Sequence, residues 1–477
     1  MAIAIMSRRQ NDQSVPLGAE IMTAVAARPS VTRQLNEAEQ ALVDQFAALA
    51  PAPMRQVQEL RETSLARFAS NGLAHRRIEA WHYTDLRSAQ SHTFAPAQRP
   101  NAQSLDQIKS RLAALASNPL ASNPFGSLRL VVVDGFFSPE LSAQTLPSGV
   151  TLTTLSQALT QGHPRLAHIL SGSALGESDT MLNLNAALCA DGVILEVAAG
   201  AQIEPALELI FVTSDAAPKS VQTRSAVFVG QGAKIRLFEH HLSEGQVQSQ
   251  RNQAVLLDLA SAAHVEHVLM CAQGHAQSND VMSVLANLHE GSELSMLGLM
   301  QGAGLRRRQT FVRLNGAHAR FHARGVVLLN RKDHCDATFV VEHVAPDCES
   351  REFFNWIVDE EATGVFQGKV SVARAAQKTD GRMKSRGILL GETAAMFNKP
   401  ELEIFADDVA CGHGATCGEL DADQLFYAQA RGIPLPEAEA MLLAGFAGEI
   451  FDELSDETLR EVLMDDVRAW LAQRGQG

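Results

Sequence analysis

Between residues 31 and 71 apolar side chains return at helical spacing: Leu35, Ala38, Leu42, Phe46 and Leu49, then Met54, Val57, Leu60, Leu65 and Phe68. Steps of three and four place each set on one helical face, and Pro51 with Pro53 interrupts the run, so the pattern predicts a helical hairpin. Two polar, proline-bearing stretches, residues 88–104 and 117–127, read as linkers or surface loops.

From about residue 191 to 405 the period changes. Short β-branched or alternating runs such as VILEV, LELIFV, AVFVG, KIRLF, AVLLDL and FVRLN replace the helical pattern and predict strands. A phrase recurs among them, beginning at Gly200, Gly232, Ala262, Gly291 and Gly316: a small pair, a third residue, then an apolar residue in most copies. A tight corner followed by an inward apolar position, repeated at near-constant period, is what a solenoid requires, because each coil buries its apolar face only against its neighbours. The expected core is therefore a parallel β-helix, with a β-sandwich as the competing reading of the same turns.

After Gly418 helical periodicity resumes, first over residues 421–430. Beyond a break at Gly432, Pro434 and Pro436, one face carries Ala438, Met441, Leu442, Gly445 and Phe446. Ser455 is placed to cap a last helix whose stripe is Leu459, Val462, Leu463, Val467, Trp470 and Leu471. Such a stripe is more often core than partner site, but with little else nearby in sequence to fold against it is also a candidate interface. The expected organisation is a helical region with linkers and a few strands over residues 1–180, a β-helix core over 181–418, and an acidic helical domain over 419–477.

Charge sharpens the picture at that end. The chain of 477 residues carries a net −14, and from Glu401 onward 17 Asp and Glu face 4 Arg and no Lys. Such a tail repels nucleic acid; the plainer reading is a solvated acidic helical face, and the sharper one a docking surface for a basic or mixed-charge protein partner. The opening residues lack the apolar core of a secretion signal, and no run approaches the ~18 apolar residues of a membrane span, so a cytoplasmic protein is expected. Six dispersed cysteines without a CxxC pair fit neither a disulfide framework nor a zinc knuckle.

The marks of the common enzyme classes are missing. Gly364–Val370 has neither the spacing nor the hydroxyl of a phosphate loop, and there is no dinucleotide fingerprint, HExxH or GxSxG. The densest group of reactive residues is DDVACGHGATCGELD, residues 407–421. On a strand, Cys411 and His413 leave the same face, a thiolate and an imidazole suited to a soft metal; a buried Cys beside a hydrogen-bonded His is the plainer alternative. Cys417 shares their parity if the glycines leave the strand intact. His334, Cys335, Asp336, His343 and Cys348 form a second group, in which alternation sets Cys335 opposite His334 and Asp336, as expected of structural residues. His318 and His322 share parity and are expected on one strand, as part of a polar ladder.

These segments together resemble the SufB/SufD scaffold family of the SUF iron-sulfur cluster assembly system. The resemblance rests on RRIEAWHYTDL (76–86), LNLNAALCADGVILEV (182–197), VEHVAPDCESRE (341–352), GVFQGKV, AQKTD (376–380) and the long stretch at 398–433, all in the family's order. His413 followed by Gly414 is similar to the SufD branch; the SufB branch has glutamate after the matching histidine and a cysteine upstream. The resemblance implies a non-catalytic scaffold with a β-helix core that pairs with SufB. It also implies a C-terminal domain contacting the SufC ATPase, with Phe426, Tyr427, Arg431, Met441 and Phe446 as candidate contacts.

It further implies that His413, with Cys411 beside it, faces SufB where a transient iron-sulfur cluster is built, and that His413 is a candidate metal ligand. No nucleotide is expected on this chain itself, and a homodimer is plausible because solenoid edges need covering. Cys417 stands where the family more often has an aliphatic residue and receives no role. The competing enzyme reading, a β-helix hydrolase or lyase acting on polysaccharide, fits poorly with three Trp and two Tyr.

Overall fold

Two stacks of parallel strands dominate the computed structural model, which describes residues 33–114, 123, 125–171, 176–215, 217–243 and 247–474. One sheet takes Lys219–Val229, Ser249–Leu259, Asn279–Leu288, Leu305–Leu314, His334–His343, Thr363–Val372 and Ala395–Ile404 in order. The other takes Leu207–Thr213, Lys234–Ser243, His264–Cys271, Glu293–Gln301, Arg320–Leu329, Glu349–Val358, Asp380–Leu389 and Ala410–Gly418. Successive strands alternate between the sheets, so the chain winds as the expected parallel β-helix. Every rung lies directly on the one before, as where Val312 meets Val341 and Val341 meets Val370.

The inward columns explain why the strands hold. Val255, Leu257, Val284, Ala286 and Val370 on one sheet meet Leu237, Val265, Leu294, Phe321 and Phe354 on the other in a continuous buried core. In-register β-branched and aromatic stacks of this kind are stable only while a neighbouring coil covers each one.

At one corner of each coil a residue takes left-handed backbone: Gly200, Gly232, Ala262, Gly291, His318, Asp347 and Lys378. The first four are the repeat seen in the sequence, and Ile203, Ile235, Val265 and Leu294 behind them are buried. The fifth copy is displaced. The corner is His318, not Gly316, because Gly316 instead lies so close to the backbone of Glu290 that a Cβ would collide with it. His318 therefore sits in a turn, and it does not share the strand of His322 as the parity argument expected.

The N-terminal helices Glu37–Ala47 and Arg55–Asn71 form the expected hairpin, the first closed by a capping box between Asn36 and Glu39. Phe68, Leu73, Trp81 and Leu86 pack with Leu184, Val281 and Leu305 on the outer face of the first-named sheet. The stretch read as a linker at 88–104 gives up its last residues to helix Ala102–Ala114, and Ala95 and Ala97 bond to Ser220. The second linker, 117–127, lies largely outside the described residues. Residues 182–188, assigned to the start of the β core, are helical (Thr180–Leu188), and the strand begins at Val193.

The last two helices, Leu435–Gly448 and Glu457–Gln473, cover the outer face of the other sheet. The terminal stripe is no free interface: Leu459, Leu463, Val467, Trp470 and Leu471 are buried against Phe238, Met270, Leu297, Val326 and Ile357. The outward positions of the sheet are apolar there, and an amphipathic helix is what shields them. Its cap is Asp456, one residue after Ser455, accepting from Leu459 N at 3.0 Å.

Candidate functional site

Strand Ala410–Gly418 is the outermost rung of its sheet, and Ala395–Ile404 is the outermost of the other. Each pairs along one side only, so at this end the solenoid is open and both edge strands offer unpaired backbone groups. Phe397, Ile404 and Phe405 stand exposed at the rim, as apolar residues do when the coil that would cover them is absent.

The glycines do not interrupt the last rung. Cys411, His413 and Cys417 pair in register with Gly381, Met383 and Gly387, so all three share the interior face with the buried Met383. A Cβ built on Gly381 would lie 3.6 Å from Cys411 Sγ, and one on Gly387 3.5 Å from Cys417 Sγ. Cys411 is half-buried, and burial raises its thiol above the usual value; Cys417 is exposed, and partial burial pushes it up as well. His413 is exposed and has no hydrogen bond or ion pair with any described residue. Its imidazole is free at the mouth of the coil.

Among the described residues no three His, Cys, Asp or Glu converge into a set that could hold a metal. Cys411 and His413 bring one sulfur and one imidazole to the interior face of an edge strand, two soft donors short of a ligand set.

The second reactive group is divided between two faces. Cys335 is buried in the core, while His334 and Asp336 face the N-terminal segment. Thr84 lies 2.9 Å from His334 Nε2 and donates to Asp336, and Arg307 pairs with Asp336 at 2.5 Å. The Arg307 guanidinium lies 3.9 Å over the Trp81 ring, and Trp81 Nε1 donates to Asp179 at 3.1 Å. RRIEAWHYTDL is thus the clasp that holds the N-terminal region to the solenoid. His343 and Cys348 point inward, to Ser350 Oγ at 3.1 Å and Gly316 O at 3.2 Å.

The interior also holds charge that the sequence did not single out. In Arg306-Arg307-Arg308 alternation sends the outer two inward, where Arg306 and Arg251 pair with Asp280, and Arg308 with Glu239. Burial pushes the Asp280 carboxyl up, yet the two guanidinium groups hold it down at about 2. His241 and His267 reach Glu239 at 2.7 and 2.8 Å, and burial takes His241 down to about 4, so its ring is neutral. The run of three arginines was the available signal.

On the C-terminal domain, helix Ala422–Gln429 buries none of its residues. Phe426 and Tyr427 are 73% and 59% exposed, with Met441 and Leu435 beside them in the exposed set. Arg431 lies 3.4 Å over the Tyr427 ring. Phe446 differs from the other candidates: it is half-buried and stacks on Arg386 at 5.0 Å, turned towards the solenoid. The buried face of its helix runs through Ala438, Leu443 and Ala447, so Met441 is on the outer side. Leu435 was not singled out in the sequence.

No described helix is long and apolar enough to cross a membrane. Residues 40–209 match the family model described as the SufBD protein N-terminal region, and 211–446 match the SUF system FeS cluster assembly SufBD core domain. The iron-sulfur cluster assembly protein SufD of Escherichia coli is 28% identical over 87% of this chain and 91% of its own length. An iron-sulfur cluster assembly SufBD family protein of Synechocystis is 29% identical over 91% of this chain and 96% of its own. The chloroplastic protein ABCI7 of Arabidopsis thaliana is 24% identical over 98% and 95%. With two adjoining domain models spanning its clasp, its solenoid and most of its C-terminal helices, the chain belongs to the SufBD family of iron-sulfur cluster assembly proteins.

Proposed function

We propose that this chain is a non-catalytic scaffold of the SufD kind, acting in the cytoplasm, which pairs end to end with a SufB-type relative and docks a SufC-type ATPase. The observation that carries this reading is the open end of the solenoid: two bare edge strands, an apolar rim at Phe397, Ile404 and Phe405, and His413 free in the mouth. A second β-helix end completes both sheets by strand addition, the recognition mode that exposed edges favour. A second copy of the chain can use the same edge when the relative is absent.

A nascent iron-sulfur cluster is the cargo. His413 offers an imidazole nitrogen and Cys411 a sulfur, while the partner supplies the remaining ligands; a site from which the cluster must leave is served by few ligands on each side. The exposed Phe426, Tyr427, Leu435, Met441 and Arg431 form the surface assigned to the ATPase, an apolar patch within an acidic domain. The nucleotide is bound by that partner, and its movement reaches the mouth through the helices packed on the sheet.

Co-expression with the SufB- and SufC-type proteins of the same cell, purification through a tag on this chain and native mass measurement test the reading. A complex holding both partners is the expected result. A chain that elutes alone overturns it.

A further inference from the structure

Away from the mouth, the outer face of the first-named sheet carries a buried arginine in strand Lys219–Val229. Arg224 is 1% exposed. Its Nη1 donates to Leu170 O at 2.9 Å, its Nε has no acceptor, and no carboxylate among the described residues pairs with it. Burial lowers its guanidinium from the ordinary value, and the only opposing group among the described residues is the Cys189 thiol, which burial itself pushes up and so keeps protonated and neutral. Arg61, close by and also buried, is provided for differently, since two carbonyls at the end of helix Thr180–Leu188 accept its Nε and Nη2. A buried guanidinium with one carbonyl and no counter-charge is costly, and proteins resolve that cost by pairing.

Arg224 also lines a cavity of about 330 Å³ between helix Arg55–Asn71 and the sheet. Thr63, Ser64 and Asn183 give its wall hydroxyl and amide groups, and Leu182 and Leu285 make part of it apolar. At the rim Arg67 is neutralised by Glu177 at 2.6 Å, which leaves the Arg224 charge uncompensated.

We propose that this cavity is a binding site for a small organic anion whose carboxylate or phosphate group pairs with Arg224. The part of the guanidinium not held by Leu170 O suits the oxygens of such a group, the Ser64 hydroxyl can donate to a further lone pair while that of Thr63 is held by Glu59 O, and the leucines cover a short apolar body. The site is remote from the mouth and separate from the family role described above.

The test is thermal melting of the full chain with rising inorganic phosphate or butyrate, ionic strength held constant with sodium chloride, alongside equilibrium dialysis of labelled phosphate. Wild type is expected to melt higher in a saturable way with one of the two anions, and the effective one identifies the head group. Arg224→Met is expected to lose that dependence and to bind at least ~10-fold more weakly, while melting no lower than wild type in chloride alone. Should Arg224→Met fail to fold, dialysis on wild type and on Arg224→Lys decides, with ~10-fold weaker binding expected of the lysine variant. Neither anion retained by wild type, or equal dependence on both in the variants, overturns the site.

Discussion

His413 stands in register with Met383, one rung further along the interior face, and no rung follows it. The same column position that buries a methionine therefore presents an imidazole to whatever docks on the end.

His413→Ala is expected to leave the isolated chain as stable as wild type, within ~0.5 kcal/mol, since the ring makes no contact that folding uses. In the co-purified complex it is expected to leave subunit composition unchanged and to abolish iron-sulfur absorbance after reconstitution. Loss of the partner from the purified complex would instead mean that the imidazole only packs the junction.

Two aromatic residues of the C-terminal domain separate folding from docking. Trp470→Ala removes a buried ring that holds the terminal helix on the sheet and is expected to cost about 3–5 kcal/mol in urea unfolding. Phe426→Ala is expected to cost less than ~0.5 kcal/mol while weakening capture of the ATPase at least tenfold. Equal destabilisation by both would show that Phe426 is part of the fold.

Glu352 lies inside the coil with neither carboxylate oxygen bonded, and burial raises its carboxyl to about 8 from an ordinary 4.5. The folded chain keeps this proton at neutral pH and the unfolded chain releases it. Between about pH 4.5 and 8 the unfolded state binds fewer protons, so this group makes stability fall as pH rises through that window. Glu352→Gln is expected to flatten the slope and to raise stability at pH ~8 by roughly 4 kcal/mol. Parallel unfolding curves for wild type and variant across pH would show that Glu352 does not titrate in this way.

The cysteines make an accessibility series. Cys417 and Cys411 are expected to alkylate with iodoacetamide in the native chain, while Cys189, Cys271, Cys335 and Cys348 react only in denaturant, Cys271 having been pushed up to about 11 by burial. Mass spectrometry of the labelled peptides reads this directly, and native labelling of Cys335 would mean that the coil opens.

Much of this architecture is legible in the residues. Strand runs and the corners at Gly232 and Gly291 are visible because glycine marks the left-handed backbone it adopts without strain. The corners at His318, Asp347 and Lys378 carry no such mark, since nothing in those residue types announces the conformation that neighbouring coils impose on them. The parity of Cys411 and His413 follows from strand alternation alone. That their rung is the last one, and that the terminal stripe has a sheet to cover, depend on which strands are neighbours, and local periodicity does not encode adjacency. The inward Arg306 and Arg308 were hidden for a related reason: a charged residue on a strand reads as solvent-facing until its counter-ion, Asp280 or Glu239, is located on another coil.

The uncapped end has a thermodynamic consequence of its own. A solenoid behaves as a one-dimensional lattice in which each unit is held by coupling to the units on either side, and the boundary unit has one coupling where the others have two. The rung bearing Cys411 and His413 is therefore the natural point of fraying, and a docked partner converts a boundary unit into an interior one. Under the proposed end-to-end assembly, order at Cys411 and His413 is therefore cooperative with docking, and the two side chains become rigid only when a second solenoid end covers their rung.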